Sequence, residues 1–165
     1  MIIVTRKPSV IFTGNEYPCA IGKNGFAEPG EKREGDYKTP VGTFPLREVY
    51  YRADRIAKPV TALPLHEITV ESGWCDDPAH PDYNKFVKLP FAASREAMLR
   101  DDHCYDLVLV IGYNDAPVVP GLGSAIFLHV AKHGFLPTEG CVALQLEHVK
   151  EIVATIKLDD TIQIG

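Results

Sequence analysis

The run Leu107-Val-Leu-Val-Ile111 constrains this chain most, because five consecutive apolar residues between Asp106 and Gly112 leave no polar face for water. So short and β-branched a run reads as a strand buried on both sides, which other elements must cover. Ala125–Val130 repeats the pattern as a second buried strand. Thirteen glycines and thirteen prolines among 165 residues break the remainder into short pieces. Ile2–Thr5, Val10–Phe12 and Tyr17–Ile21 are β-branched or aromatic segments parted by turn residues, which predicts an N-terminal meander.

Between Lys23 and Lys38 the charges and glycines predict a solvated loop. Thr39-Pro40-Val41-Gly42 suits a type I turn. Thr43–Tyr51 is a strand whose Pro45 belongs at an edge or a bulge. The proline-rich stretch from Ala57 to Pro90, with its acidic run from Glu71 to Asp82, reads as mostly loop. Ser94–Arg100 opens on a residue suited to an N-cap and predicts a short helix. Leu146, Val149, Ile152, Val153 and Ile156 recur at helical spacing and predict an amphipathic one. Thr161–Ile164 closes the chain as a strand. The expected class is mainly β with minor α (α+β), two packed mixed sheets with one or two short helices, in a single domain over residues 1–165.

Charge excludes some functions. With 17 basic and 22 acidic residues the formal net charge is −5, which offers no footprint for a phosphate backbone, so nucleic acid is not an expected partner. No apolar run approaches the roughly 20 residues of a membrane span. Met1 leads directly into a strand pattern and then Arg6-Lys7, so no export signal is expected there. The four cysteines form no C-x-x-C pair. Cys19 reads as core, and Cys75 and Cys104 are candidates for a disulfide in an oxidising compartment, which spacing does not decide.

Chemistry concentrates in Ser124 to Leu144. His129 ends an otherwise apolar strand, and Cys141 follows a turn built from Pro137, Thr138, Glu139 and Gly140. A thiol becomes a nucleophile when an imidazole within reach takes its proton. Gly140 allows a tight turn that aims the Gly140 and Cys141 amides at a developing oxyanion. Glu139 is a candidate partner for a substrate amine. Thr138, Tyr113 and Asn114 are candidates for lining the cleft, and His133 is a rival base. His129 and His133 with Cys141 also form a conceivable zinc set, although on a strand the i and i+4 positions stand about 13 Å apart. No metal and no cofactor is expected.

Gly35-Asp36-Tyr37-Lys38-Thr39-Pro40-Val41-Gly42-Thr43-Phe44, the strand-end His129 and Thr138-Glu139-Gly140-Cys141 together resemble the YkuD-type L,D-transpeptidases. That family carries a TPxGxF element and, later, a histidine, a loop and [S/T]-H-G-C. The resemblance spans essentially the whole chain. It implies a β-sandwich and a cysteine acyl transfer on peptidoglycan stem peptides, with Cys141 as nucleophile and His129 as base and then acid. A backbone carbonyl would orient the imidazole, and the partners would be a tetrapeptide donor and an amine acceptor met by a monomer in the cell envelope. Two departures stand out: Glu139 replaces the usual histidine, and the loop between His129 and Cys141 is shorter than usual. A carboxypeptidase hydrolysing the same bond and a non-catalytic stem-peptide-binding module remain open beside the transferase.

Overall fold

The computed structural model describes residues Met1–Gly165. Its strands are β1 (Ile2–Val4), β2 (Ser9–Phe12), β3 (Asn15–Pro18), β4 (Phe26–Ala27), β5 (Thr39–Pro40), β6 (Gly42–Tyr51) and β7 (Leu65–Glu67). Next come β8 (Ser72–Cys75), β9 (Phe86–Lys88), β10 (Arg95–Ala97), β11 (Leu107–Ile111), β12 (Phe127–Val130), β13 (Val142–Leu144) and β14 (Thr161–Ile164), with α1 (Leu146–Thr155) before the last strand. All five residues of β11 are buried, as its unbroken apolar run requires.

The fold is mainly β with minor α, as expected, and its principal sheet is a nine-stranded mixed one in the order β13-β12-β11-β6-β14-β1-β2-β3, with β7 added beside β6. A three-stranded sheet, β10-β8-β9, and the short pair β4-β5 complete the fold. The meander β1-β2-β3 forms as expected, but parallel pairing of β1 with β14 merges it into the main sheet. After Pro18 the chain leaves β3, and Ala20 exchanges backbone hydrogen bonds of 2.8 and 2.9 Å with Ala143 of β13. The sheet thereby nearly closes on itself, and the edge of β13 is covered.

Strand periodicity divides the core in two. Leu107, Leu109 and Ile111 of β11 join Leu128 of β12 and Val149, Ile152 and Val153 of α1 in the larger cluster. Val108 and Val110, on the alternate face, join Phe127, Trp74, Met98, Tyr105 and Cys141 in the smaller one. The three-stranded sheet and the residues after β10 cover this second face.

Several local expectations are corrected. Ser94–Arg100 is not a helix: Arg95, Glu96 and Ala97 pair with Cys75, Trp74 and Gly73, and alternate residues turn inward. Cross-strand pairing outweighs the weak helical signal of so short a segment. The stretch from Ala57 to Pro90 holds β7, β8 and β9, whose three or four residues are too short to show a period. Thr39-Pro40 is a strand pairing Phe26-Ala27 and not the start of a turn, since Thr39 and Val41 donate to the carbonyls of Gly25 and Ala27 at 2.9 Å. Pro45 stands beside the register shift between β6 and β11, the bulge its missing donor calls for. The charged loop 23–38 is not wholly solvated, because Lys32 is buried and donates to Asp36 at 2.6 Å. Of the one or two helices expected, α1 alone forms, and all four cysteines are free thiols, Cys75 and Cys104 included.

Two connections hold the loops at the ends of β12 and β13. These parallel strands are joined by the crossover 131–141, which Ile21 and Lys23 hold by hydrogen bonds of 2.9 Å to the backbone of Thr138. At its end Gly140 has φ 141°, and a Cβ there would lie 2.9 Å from the Lys38 carbonyl oxygen. The second connection is the buried side chain of Asn84. Its Oδ1 accepts from Trp74 Nε1 and the Ala125 amide, both at 3.0 Å, and its Nδ2 donates to the carbonyls of Tyr113 and Asn114 at 3.0 and 2.8 Å.

Asn84→Ala strands these four groups and is expected to lower stability by about 3 kcal/mol, read from the urea midpoint. Gly140→Ala meets backbone rather than a yielding side chain and should cost about 2 kcal/mol in the same assay.

Candidate active site

Cys141 immediately precedes β13, and His129 is the third residue of β12. The parallel register sets His129 beside Ala143 and Leu128 beside Val142, so Cys141 falls on the same face as His129, two positions back along the neighbouring strand. Both line one cavity of about 440 Å³. Ala143, directly beside His129 in the register, also lines this cavity and its small side chain fills little of it.

The thiol is held by backbone. The sulfur donates to the Ala125 carbonyl at 3.2 Å and accepts from the Phe127 amide at 3.4 Å. Ala125 has φ 53°, a conformation an L-residue adopts at a cost of about 1–2 kcal/mol. Asn84 secures it there, so a strained residue is kept where it meets the sulfur.

The imidazole is oriented by backbone too. Nδ1 of His129 lies 2.9 Å from the Val130 carbonyl. A carbonyl oxygen only accepts, so Nδ1 carries the hydrogen and Nε2 keeps a free lone pair. His129 is 7% exposed, and burial holds its pKa down at about 4, with the positive charges of Arg100 and Lys132 acting in the same direction. Burial pushes the Cys141 thiol up to about 12, reinforced by the carboxylates of Glu96 and Glu139 and opposed by the Phe127 amide and Lys32. The sequence predicts a thiol lowered by its imidazole, and the structure reverses that direction. Desolvation penalises both charged forms, so the resting pair is a neutral thiol and a neutral imidazole.

Thr138 ties the turn before Cys141. Its hydroxyl donates to the Cys141 carbonyl at 2.7 Å and accepts the Gly140 amide at 3.1 Å. The Gly140 amide is therefore engaged, whereas that of Cys141 has no acceptor. Of the two amides the sequence offers to an oxyanion, one is free in this structure.

Thr138 and the exposed Glu139 line the cavity with Cys141 and His129. Tyr113, Asn114 and His133 do not. The Tyr113 hydroxyl donates to Leu122, and Asn114 Nδ2 donates to the carbonyls of Val119 and Gly123, so these two residues organise the loop 115–123 instead. His133 is exposed on the crossover, and no three metal-binding side chains, the set of His129, His133 and Cys141 included, converge in this chain.

Other lining residues carry no motif that sequence reading detects. Glu96 and Asp76 share a face of the β8-β10 pair, across from Cys141, and Arg95 and Lys132 line the cavity without an ion-pair partner. Glu96 lies where the sequence predicts a helix and Asp76 where it predicts a loop, so no strand period marks their common face.

A family model for the L,D-transpeptidase catalytic domain, YkuD, matches residues 2–164. No curated protein matches the chain. The solved structure of Bdellovibrio bacteriovorus Bd1075 is similar over 100% of this chain and 47% of its own, at 20% identity and a TM-score of 0.49. The chain thus spans about half the length of that protein. No helix here is long and apolar enough to cross a membrane. With a match over nearly its whole length, the chain belongs to the YkuD family of L,D-transpeptidase catalytic domains.

Proposed function

We propose that residues 1–165 form one catalytic domain that performs cysteine acyl transfer on peptidoglycan stem peptides at the cell envelope. The observation that carries this reading is the hydrogen bond from His129 Nδ1 to the Val130 carbonyl, which leaves Nε2 free to accept a proton in the cavity that holds the Cys141 thiol. As the sulfur attacks the carbonyl of an L-centred residue, its proton passes to Nε2 and the Cys141 amide donates to the developing oxyanion. Collapse of the tetrahedral intermediate breaks the bond to the terminal D-alanine, whose amine leaves with the proton from Nε2. An acceptor amine then attacks the thioester, His129 takes its proton, and the thiol is restored.

A neutral resting pair suits this sequence, because proton transfer accompanies attack and no thiolate has to be kept in a buried cavity. The lining has both signs of charge. Arg95 and Lys132 offer cations to the carboxylate end of a stem peptide, and Glu139 and Asp76 offer carboxylates to its amine or to that of the acceptor.

Incubation with a disaccharide-tetrapeptide, read by muropeptide and intact-protein mass spectrometry, tests the reading. Loss of D-alanine, an acyl adduct on the protein and cross-linked dimers are expected, all abolished in Cys141→Ala. Trimmed monomers alone would identify a carboxypeptidase, and no adduct at any pH would leave a binding module. The pH profile is a second test. His129 loses its lone pair only near pH 4, so kcat/KM should stay level down to about pH 5 and fall below it, where an ordinary histidine would give a fall near 6.5.

A further inference from the structure

The loop 98–106, which joins β10 to β11, supplies no group to the acyl transfer, yet it is fixed unusually firmly. Arg52 Nη1 donates to the Arg100 carbonyl at 2.7 Å, and Arg55 donates to the carbonyls of Asp102 and Asp101 at 2.6 and 3.0 Å. The Cys104 carbonyl accepts the Val130 amide at 3.0 Å, which ties the loop to the residue that orients the imidazole.

On this support Tyr105 is buried, and its ring meets His129 edge to face, with centroids 5.4 Å apart and planes at 72°. The tyrosine hydroxyl donates to Glu96 Oε1 at 2.5 Å. Arg100 stands 3.6 Å from that same oxygen and places its guanidinium 5.0 Å from the centroid of the Tyr105 ring. Ring, carboxylate and guanidinium hold one another, and Arg100 is itself fixed by two hydrogen bonds to Asp102.

We infer that the ring of Tyr105, backed by the Arg100 guanidinium, is the positioning group of the catalytic imidazole; this rests on the reading of His129 as the base. One hydrogen bond from Nδ1 sets the tautomer and the ring's orientation, but at about 1 kcal/mol net it restrains a swing about the Cβ–Cγ bond only weakly. A swung ring loses the Val130 contact and turns Nε2 away from its working place, and misplacement of about 1 Å can cost a hundredfold in rate. The flat Tyr105 ring packed across the imidazole occupies the space such a swing needs. An aliphatic side chain of similar bulk does not reproduce that wall.

The test needs no substrate. The rate at which iodoacetamide alkylates Cys141 is followed by peptide mass mapping from pH 5 to 10 on the folded protein. Arg100, Asp102 and Lys132 bear on His129 from the loop and the crossover, and they remain in every variant. In the parent protein the rate is expected to be level from pH 5 to 8, because Nε2 takes the thiol proton throughout. His129→Ala should abolish the level portion and leave a tenfold rise per pH unit, as for an unassisted thiol. Tyr105→Leu should lower the level portion about tenfold with the melting temperature still showing a folded protein, and Tyr105→Phe, which returns the ring, should recover at least half of it.

A level portion unchanged in Tyr105→Leu would overturn the inference, as would a loss in Tyr105→Phe equal to that in Tyr105→Leu. A profile that His129→Ala leaves intact would instead overturn the assignment of the base, and the brace with it.

Discussion

Parallel pairing of β12 with β13 is the constraint on which the rest of the site depends. Antiparallel neighbours are joined by a tight turn, but parallel ones need the chain to travel back past the full strand. Here residues 131–141 make that return without a helix, so Cys141 arrives at the end of an irregular segment and not on a rigid element. Its precision comes from neighbouring segments. Ile21 and Lys23 pin the backbone of Thr138, the Thr138 hydroxyl closes the turn onto Cys141, and the absence of a Cβ at Gly140 lets the turn press against Lys38. The register then fixes the phase, since a slip of one residue would send the thiol to the opposite face, into the larger core.

Placing the pair at the margin of the smaller core has an electrostatic consequence. The cavity wall that excludes water is also what disfavours the thiolate and the imidazolium, so burial raises one pKa and lowers the other. Two neutral partners with one oriented lone pair are what the proposed general-base step needs. Backbone groups do most of the orienting: the carbonyls of Ala125 and Val130 and the amide of Phe127 each meet the side chain of Cys141 or His129. Backbone contacts survive substitution of the side chains on the residues that supply them, which makes the local geometry less dependent on residue type than a triad with a third side chain would be.

The parts legible in the sequence are those whose signal is local. β11 declares itself by five apolar residues in a row and α1 by its helical spacing, and Gly140 and a strand end point to Cys141 and His129, which the structure brings to one cavity. The parts that are not legible exist through partners distant in the chain. Three residues at 95–97 have no propensity worth the name, and they become a strand because Cys75, Trp74 and Gly73 stand beside them. Tyr113 and Asn114 read as cleft residues because polar aromatic loops so often are, yet their side chains are occupied by the carbonyls of their own loop. Tyr105 and Glu96 are invisible for a different reason: neither lies in a motif, and their relation to His129 appears only once β10, β11 and β12 are assembled.

The charged loop before β5 shows how far composition alone can mislead about burial. Four acidic and four basic side chains between Lys23 and Lys38 look like a solvated surface, yet only half of them are exposed. Lys32 is nevertheless 5% exposed, because Asp36 neutralises it and the Arg33 carbonyl takes a second hydrogen at 2.9 Å. Glu34 in turn accepts from Ser124 at 2.8 Å and from the Tyr83 hydroxyl. Pairing charges within the loop and against its neighbours lets a hydrophilic segment form one wall of the cavity, opposite strands that are almost wholly apolar. The site therefore joins a dry floor to a polar wall. The floor favours the neutral forms of Cys141 and His129, and the wall brings charged groups to the same cavity.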